Sequence, residues 1–291
     1  MNNQLTVAAI QMNSQQDIEA NLTTIKAAIA DACTQGAKLV VLPENCCSMG
    51  RQFATAEQFE ALSATIAGYA SEHGVYVLAG SLPCAYRPNG SLIPDGRLRQ
   101  ASQLFAPDGT LAARYDKIHL FTATVADKQG NYDEAATFEP GTQTVVTPLK
   151  VDKTVYHLGM MVCFDLRFPA LAQRLRQAGA ELLSAPSAFT YITGQAHWSL
   201  LLQARALDSQ CMVIGAAQGG EHYYNDGNIR QTWGHSTITA FDGRVVNSYE
   251  DSRLQDNPES PHYALVLATL DAAAQAQGRQ KMPIFGCHRL S

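Results

Sequence analysis

The sequence lacks the features that mark nucleic-acid and membrane partners. It has no basic patch and no run of like charges, and its formal net charge is -5, so we expect neither nucleic acid nor an anionic membrane surface as a main partner. No apolar stretch approaches the roughly 18 residues that a membrane span needs. Residues 1–4 run straight into a strand pattern, without the charged and apolar regions of a signal peptide.

Metal-ligand spacings are missing as well. The sequence contains no CxxC, HExxH or paired-histidine spacing, so we expect no metal site. The seven cysteines are an odd number and are spread from Cys33 to Cys287 without regular spacing, which argues against a disulfide framework. Reduced cysteines of this kind are typical of the cytoplasm, which is the compartment that we predict.

Alternating apolar segments indicate the fold class. Hydrophobic residues make up 46% of the chain, enough for a sizeable core. The strand patterns of both halves lie at 5–10, 37–42, 75–80, 155–162, 181–185 and 211–217. Helical periods separate most of these strands, for example at 17–32 and 56–72. This alternation predicts an α/β protein with mixed sheets covered by helices.

The whole chain is predicted to form one domain. No linker divides residues 1–291, and a C-terminal tail is expected from about residue 271. The segments 122–142 and 219–233 are interpreted as irregular loops, and loops of this length in a compact domain are usually functional. The second of them is a candidate lid over a site.

Cys163 follows a buried strand at the point where a helix is predicted to start. The apolar run 155–162 stops at Cys163, and Pro169 is well placed for the first turn of a helix. A strand-to-helix turn holds a side chain rigidly and directs backbone N–H groups at an approaching ligand, as an active-site nucleophile requires. The alternative is a buried structural cysteine, which is the usual fate of a free thiol.

Two charged residues stand at comparable positions. Glu44 follows the strand at 37–42, and Lys117 follows a strand at 111–115. Ligands of α/β sheets bind outside the carboxyl ends of strands, so these side chains are expected to meet Cys163. A carboxylate can act as general base, an ammonium can stabilise an oxyanion and a thiol can attack a carbonyl. The alternative for each charge is an ordinary place in solvent.

At these positions the sequence resembles the nitrilase (carbon–nitrogen hydrolase) superfamily. The resemblance rests on three blocks in the family's order, Leu-Pro-Glu-Asn at 42–45, Tyr-Asp-Lys-Ile-His-Leu at 115–120 and Val-Cys-Phe-Asp-Leu-Arg-Phe-Pro at 162–169. It implies an α-β-β-α sandwich and a catalytic triad in which Glu44 is the base, Lys117 stabilises the oxyanion and Cys163 is the nucleophile. It also implies that no cofactor is used.

The family commonly has a second glutamate, set ahead of a Pro-Gly pair after the lysine. Glu134 stands at the expected distance before Pro140 and Gly141. The resemblance therefore gives Glu134 a substrate-positioning and electrostatic role in the catalytic group. A solvated loop glutamate is the alternative.

Further blocks resemble the deaminated-glutathione amidase branch and its relatives, the ω-amidases that act on 2-oxoglutaramate. These blocks lie at 186–189, 193–194, 196–198, 203–206, 216–218 and 234–236. The branch implies hydrolysis of a small-molecule amide that ends in a 2-oxo acid, through a cysteine thioester. Arg167 is the candidate that binds the acid group, or else it pairs with Asp165 to fix the turn. Phe164 is expected to give an oxyanion N–H, and Phe189 and Thr193 to line the pocket.

Other activities stay open at this stage. Ureido-acid or nitrile hydrolysis would use the same triad, and a non-catalytic binding protein would be expected to have lost part of it. The family also implies a homodimer or a higher homo-oligomer. Residues 282–285, Met-Pro-Ile-Phe, would suit an interface or would pack on their own chain.

Overall fold

The computed structural model describes residues 4–127, 130–254 and 262–289. Its strands are β1 (Gln4–Met12), β2 (Leu39–Val41), β3 (Tyr76–Leu78), β4 (Leu82–Cys84), β5 (Arg99–Phe105), β6 (Leu111–Asp116), β7 (Thr122–Thr124), β8 (Asn131–Asp133), β9 (Val146–Val151), β10 (Thr154–Met160), β11 (Leu182–Ser184), β12 (Met212–Gly215), β13 (Gly219–Tyr223), β14 (Ile229–Trp233), β15 (Thr237–Thr239), β16 (Val245–Ser248) and β17 (Tyr263–Asp271). Its α-helices are α1 (Ile18–Thr34), α2 (Gln52–Ala56), α3 (Phe59–His73), α4 (Pro169–Gln177), α5 (Tyr191–Ser209), α6 (Ala272–Lys281) and α7 (Ile284–Cys287). Two 3-10 turns lie at Glu134–Ala136 and Cys163–Arg167.

Most of the strands belong to two mixed sheets. The first sheet has seven strands in the order β17-β1-β2-β3-β5-β4, with β6 paired to β5. The second has six strands in the order β16-β15-β12-β11-β10-β9. The central strands β1, β2 and β3 are parallel, as are β10, β11 and β12, because a helical crossover joins each of them to the next.

The two sheets pack face to face and helices cover their outer faces. Val7 of β1 shares a core cluster with Leu158 of β10, so the inner faces of the sheets meet. Ile10 points to the other side of β1 and packs in a second cluster with Ile25 of α1. On the far side of the second sheet, Trp198 of α5 is fully buried. The predicted α-β-β-α sandwich is therefore confirmed.

Two stretches that were predicted as irregular loops contain antiparallel hairpins. β7 pairs with β8 within residues 122–142, and β13 pairs with β14 over most of residues 219–233. The second hairpin turns at Gly227, whose φ is +82°, a conformation that suits glycine. Its inner face is regular, since His222 is buried while the adjacent Tyr223 is exposed. The prediction of an irregular loop at 219–233 is wrong.

Two further strands, outside those stretches, were not predicted. β4 contains Pro83 and β9 contains Pro148. Proline cannot donate to a sheet ladder and is tolerated mainly on edge strands. Both strands lie at the edge of their sheets, which explains why a proline that argues against a strand did not prevent one.

The C-terminal part adds strand β17 to the first sheet and then continues into α6. β17 pairs with β1 from Tyr263 to Asp271, so the predicted tail begins where this strand ends. In the short segment after α6, Met282 and Ile284 are exposed. The homo-oligomer and the domain span of 1–291 stay predictions, and residues 1–3, 128–129, 255–261 and 290–291 lie outside the described part. In the part that is described, no helix is long and apolar enough to cross a membrane.

Candidate active site

Cys163 begins a sharp turn between strand β10 and helix α4. Its φ angle is +50°, in the left-handed region that residues with a side chain seldom adopt. Such a conformation costs about 1–3 kcal/mol and persists only where the surroundings fix it. One fixing contact is the hydrogen bond that the Cys163 N–H donates to the carbonyl of Pro186 at 2.9 Å. The predicted strand-to-helix turn is confirmed.

The buried carboxylate of Asp165 holds this turn in place. Its Oδ2 accepts hydrogen bonds from the Val162 N–H at 2.9 Å and from the Tyr115 hydroxyl at 2.7 Å. Its Oδ1 accepts from the His119 N–H at 3.1 Å and lies 2.7 Å from His119 Nδ1. Tyr115 and His119 flank Lys117 in the chain, so Asp165 ties the cysteine turn to the lysine segment.

Lys117 lies between two carboxylates directly after β6. Its Nζ is 2.8 Å from Glu44 Oε1, and 2.9 and 2.8 Å from the two oxygens of Glu134. Burial alone would lower the pKa of Lys117, but the charges of Glu134 and Glu44 outweigh it and raise that pKa well above its ordinary value. For Glu134, burial raises the pKa, and the charge of Lys117 opposes that rise. The ammonium is therefore a permanent charge beside the cysteine.

Backbone groups fix the carboxylate of Glu44. Its Oε2 accepts a hydrogen bond from the Ala188 N–H at 2.9 Å. The backbone carbonyl of Glu44 accepts a second one from the side-chain Nε2 of Gln218 at 3.0 Å. The segment before it is held by close approach, since a Cβ on Gly80 would lie 1.8 Å from the carbonyl oxygen of Pro43. Only glycine fits there, so Gly80 helps to set the direction of Glu44.

The thiol of Cys163 is protonated in this environment. Burial, reinforced by the charge of Glu44, raises the pKa of Cys163 well above its ordinary value, and Lys117 opposes this only in part. The thiolate, however, is the form that attacks a carbonyl. A nucleophilic Cys163 consequently needs a base at the moment of attack, and Glu44 is the carboxylate whose charge acts on it most strongly.

A polar cavity of about 220 Å³ brings the four predicted catalytic residues together. Its lining includes Glu44, Lys117, Glu134, Cys163, Tyr132 and Arg230. Two carboxylates, an ammonium and a thiol that share one cavity can perform general-base and nucleophilic chemistry on a carbonyl carbon.

A second, narrow pocket of about 10 Å³ reaches Cys163 among aromatic side chains. Its lining includes all four residues that were predicted to bind substrate, Phe164, Arg167, Phe189 and Thr193. The sequence thus predicted both groups of side chains around the cysteine, although their functional roles stay predictions.

Arg167 does not fix the turn through Asp165, the alternative that the sequence left open. Its guanidinium carbon lies 5.8 Å from the ring centroid of Phe164 and 5.4 Å from that of Phe189. Its terminal nitrogens are 3.3 Å from Nδ1 of His197. Burial lowers the pKa of Arg167 from its ordinary value, so an anion that binds here would stabilise the charged guanidinium.

Thr193 has a structural contact in addition to its place in the pocket. Its Oγ1 lies 2.8 Å from Oγ1 of Thr190, the residue that caps the N-terminus of α5. Phe189 is buried and packs edge-on against Trp198, with ring centroids 5.2 Å apart. These contacts hold both side chains in place in the lining of the pocket.

Sequence reasoning missed Arg230, and also the backbone N–H of Ala188 that binds Glu44. Arg230 lies on β14, in the stretch that was interpreted as an irregular loop. The pair Asp226-Gly227 is a strong hairpin signal that could have placed β13 and β14 on either side of it. The Ala188 contact joins residues 144 positions apart and leaves no local signal.

Cys46 and Cys47 lie near Glu44 in the chain but are fully buried in the core between the first sheet and its helices. Such burial among apolar side chains is typical of structural cysteines. Within residues 4–127, 130–254 and 262–289, no group of three or more His, Cys, Asp or Glu is arranged to hold a metal ion.

Known proteins are similar to this chain in sequence and in fold. The carbon-nitrogen hydrolase family profile matches residues 6–279. A Yersinia enterocolitica protein named deaminated glutathione amidase is 38% identical over 251 residues, which cover 84% of this chain and 83% of that protein. The Homo sapiens protein named omega-amidase NIT2 is 34% identical over 283 residues, covering 96% of this chain and 93% of that one.

A solved structure supports the same assignment. The crystal structure of the C. elegans NitFhit protein matches with a TM-score of 0.81 and 29% identity, over 98% of this chain and 65% of that chain. This chain thus spans about two thirds of that longer protein. With a family profile that covers nearly the whole sequence, the predicted resemblance is confirmed, and the chain belongs to the carbon–nitrogen hydrolase family.

Proposed function

We propose that the protein is an amidase that hydrolyses the amide of a 2-oxoglutaryl-type substrate such as deaminated glutathione, through a thioester on Cys163. The observation that supports it most directly is the buried group of Glu44, Lys117 and Glu134, whose hydrogen bonds of 2.8–2.9 Å meet at Lys117 beside the cysteine. The name of the Yersinia relative agrees with the substrate.

The first half of the reaction makes the thioester. Glu44 takes the Cys163 proton while sulfur forms a bond to the amide carbon, and the carbonyl electron pair moves onto oxygen. Lys117 and the Phe164 N–H stabilise that oxyanion, at about 3 kcal/mol per donor. The intermediate then collapses, the C–N bond breaks, and Glu44 returns the proton to the leaving nitrogen. The amine departs and the acyl group stays on sulfur.

The second half returns the enzyme to its starting state. Glu44, again a carboxylate, takes a proton from a water molecule whose oxygen attacks the thioester carbon. The C–S bond breaks, the thiol is reprotonated and the carboxylic acid leaves. Throughout, Glu134 balances the charge of Lys117 and keeps its Nζ aimed at the cavity, while Arg167 binds the 2-oxo acid group of the substrate.

A second candidate is ω-amidase activity on 2-oxoglutaramate, and the name of the human relative favours it. Its acyl group is the same as that of deaminated glutathione, so the same triad and the same Arg167 contact would serve. The two candidates differ only in the leaving amine, which is ammonia for 2-oxoglutaramate and a dipeptide for deaminated glutathione.

The test measures kcat/KM of the purified protein on deaminated glutathione, 2-oxoglutaramate, ureido acids and simple nitriles. We expect the first two to be the best substrates. Cys163→Ala should abolish turnover, and the wild-type protein stopped in acid should gain the mass of one acyl group on Cys163. Cys287→Ala, a change at an exposed cysteine, is the matched control and should turn over normally. Preference for simple nitriles, or full activity of Cys163→Ala, would refute the proposal.

A further inference from the structure

Arg230 is a cation beside the active site that the proposed reaction steps do not use. It lies on β14, and its Nη2 donates a hydrogen bond to the carbonyl of Ala188 at 2.8 Å. Its guanidinium carbon lies 5.8 Å from the ring centroid of Tyr132. Among the described residues, its buried Nε finds no hydrogen-bond acceptor. A buried donor without a partner is unfavourable, and a bound carboxylate would satisfy it.

Arg230 and Tyr132 form a wall between two cavities. One is the polar cavity that contains Cys163. The other has a volume of about 270 Å³, and its lining includes Tyr191, Ile192 and Ile229 together with Arg230 and Tyr132. Because the two cavities share these two residues, the second adjoins the space in front of the nucleophile.

The other charges of the second cavity are engaged in contacts of their own. Asp127 accepts a hydrogen bond from the Tyr132 hydroxyl at 2.8 Å. Glu221 accepts from Gln231 Nε2 at 2.8 Å and lies 3.4 Å from an Arg253 nitrogen. Burial alone would lower the pKa of Arg230, but neighbouring groups, among them the carboxylate of Glu44, outweigh it, so that pKa is raised and the side chain stays cationic.

An amide substrate extends in two directions from its reacting carbon. The acyl part ends in a 2-oxo acid, and Arg167 lines the narrow aromatic pocket. Arg230 lines the polar cavity and the cavity that adjoins it. A dipeptide amine places its carboxylate about 7 Å beyond the scissile nitrogen, whereas ammonia has no group to place there.

We infer that the second cavity is the leaving-group subsite, and that Arg230 is a specificity-determining residue that binds the terminal carboxylate of a peptide-like leaving amine. The inference rests on the proposed function and deepens it, since it makes an amide with a carboxylate-bearing amine the preferred substrate over one that releases ammonia. Tyr191, Ile192 and Ile229 would enclose the apolar part of the amine.

The test changes the substrate first and the protein second. The wild-type protein is assayed on deaminated glutathione, on its C-terminal carboxamide and on 2-oxoglutaramate. We expect the carboxamide to have a kcat/KM at least ten-fold lower than the acid, mostly through KM. Arg230→Gln should lower kcat/KM for deaminated glutathione ten- to hundred-fold, remove the difference between acid and carboxamide, and change 2-oxoglutaramate turnover less than two-fold. Arg230→Lys should restore part of the loss.

Two results would overturn the subsite alone. Equal rates on acid and carboxamide by the wild-type protein would show that the terminal carboxylate is not bound. Equal losses on deaminated glutathione and 2-oxoglutaramate in Arg230→Gln would show that Arg230 acts only through its contact with Ala188. If the wild-type protein hydrolyses neither substrate, the proposed function fails and the subsite fails with it.

Discussion

The two sides of Cys163 differ in how their charges are held. On the polar side, Lys117 has close contacts with Glu44 and Glu134 and is almost fully buried. On the aromatic side, Arg167 lies over the rings of Phe164 and Phe189, and within the described residues it forms no salt bridge. Charges that are paired inside the protein are suited to chemistry, because nothing has to reorganise. A cation held without an anion is suited to bind one from the substrate.

After loss of the nucleophile itself, the largest expected effect comes from Glu134→Gln, which removes one of the two carboxylates around Lys117. We expect kcat to fall about 10²-fold or more with little change in KM, since the change alters transition-state stabilisation rather than substrate contacts. Steady-state kinetics on deaminated glutathione measures this. Glu57→Gln, at an exposed position, is the control. A rise in KM at constant kcat would instead place Glu134 among the binding residues and break the comparison.

A smaller effect is expected from Arg167→Ala on the aromatic side. KM for a 2-oxo acid amide should rise about 10- to 100-fold while kcat changes only a few-fold, because a charge-assisted contact contributes about 1.5–3 kcal/mol to binding. Arg167→Lys should recover only part of the affinity, since an ammonium lacks the planar fork. A simple amide without a carboxylate serves as control substrate and should be indifferent to both changes. A loss confined to kcat would contradict the assignment.

Two of the residues that the sequence predicted, Glu44 and Cys163, share one property: each follows a short apolar run. Glu44 stands three residues after the end of β2, Cys163 stands three residues after the end of β10, and Lys117 directly follows β6. Apolar runs are local signals, and the parallel arrangement of strands then gathers their carboxyl ends. Most of the sandwich and the centre of the site could be inferred in this way.

The remainder depends on contacts that local patterns do not encode. The edge strands β4 and β9 contain prolines that argue against strands when the sheet position is unknown. The hydrogen bond from Ala188 to Glu44 joins segments that only the packed sheets bring together. Arg230 was missed because its hairpin has few apolar residues, and its guanidinium gains a role only beside the wall of the polar cavity.

The smallest effect on turnover is expected from His222→Gln, a change in the hairpin of β13 and β14 that also contains Arg230. His222 of β13 is fully buried, with Nδ1 2.7 Å from the Ser14 carbonyl and Nε2 2.7 Å from the Thr232 hydroxyl. A neutral ring fits both contacts, since Nδ1–H donates to the carbonyl and Nε2 accepts from the hydroxyl. Burial lowers the pKa of His222 to about 4, from an ordinary value of 6.5.

This depressed pKa makes the stability depend on pH. The unfolded chain binds a proton at His222 below about pH 6.5, whereas the folded chain binds it only below about pH 4. The stability therefore falls as the pH falls through this window. Between pH 7.5 and 5 the expected loss from this residue is about 2 kcal/mol. Urea unfolding of the wild-type protein and of His222→Gln at both pH values measures it. The wild-type protein should lose about 2 kcal/mol more than the variant, whereas kcat at pH 7.5 should differ little between them. Equal losses would mean that His222 titrates in the folded protein as it does in the unfolded chain, so that the hairpin beside the polar cavity does not keep its ring neutral as the Lys117 group keeps its charges paired.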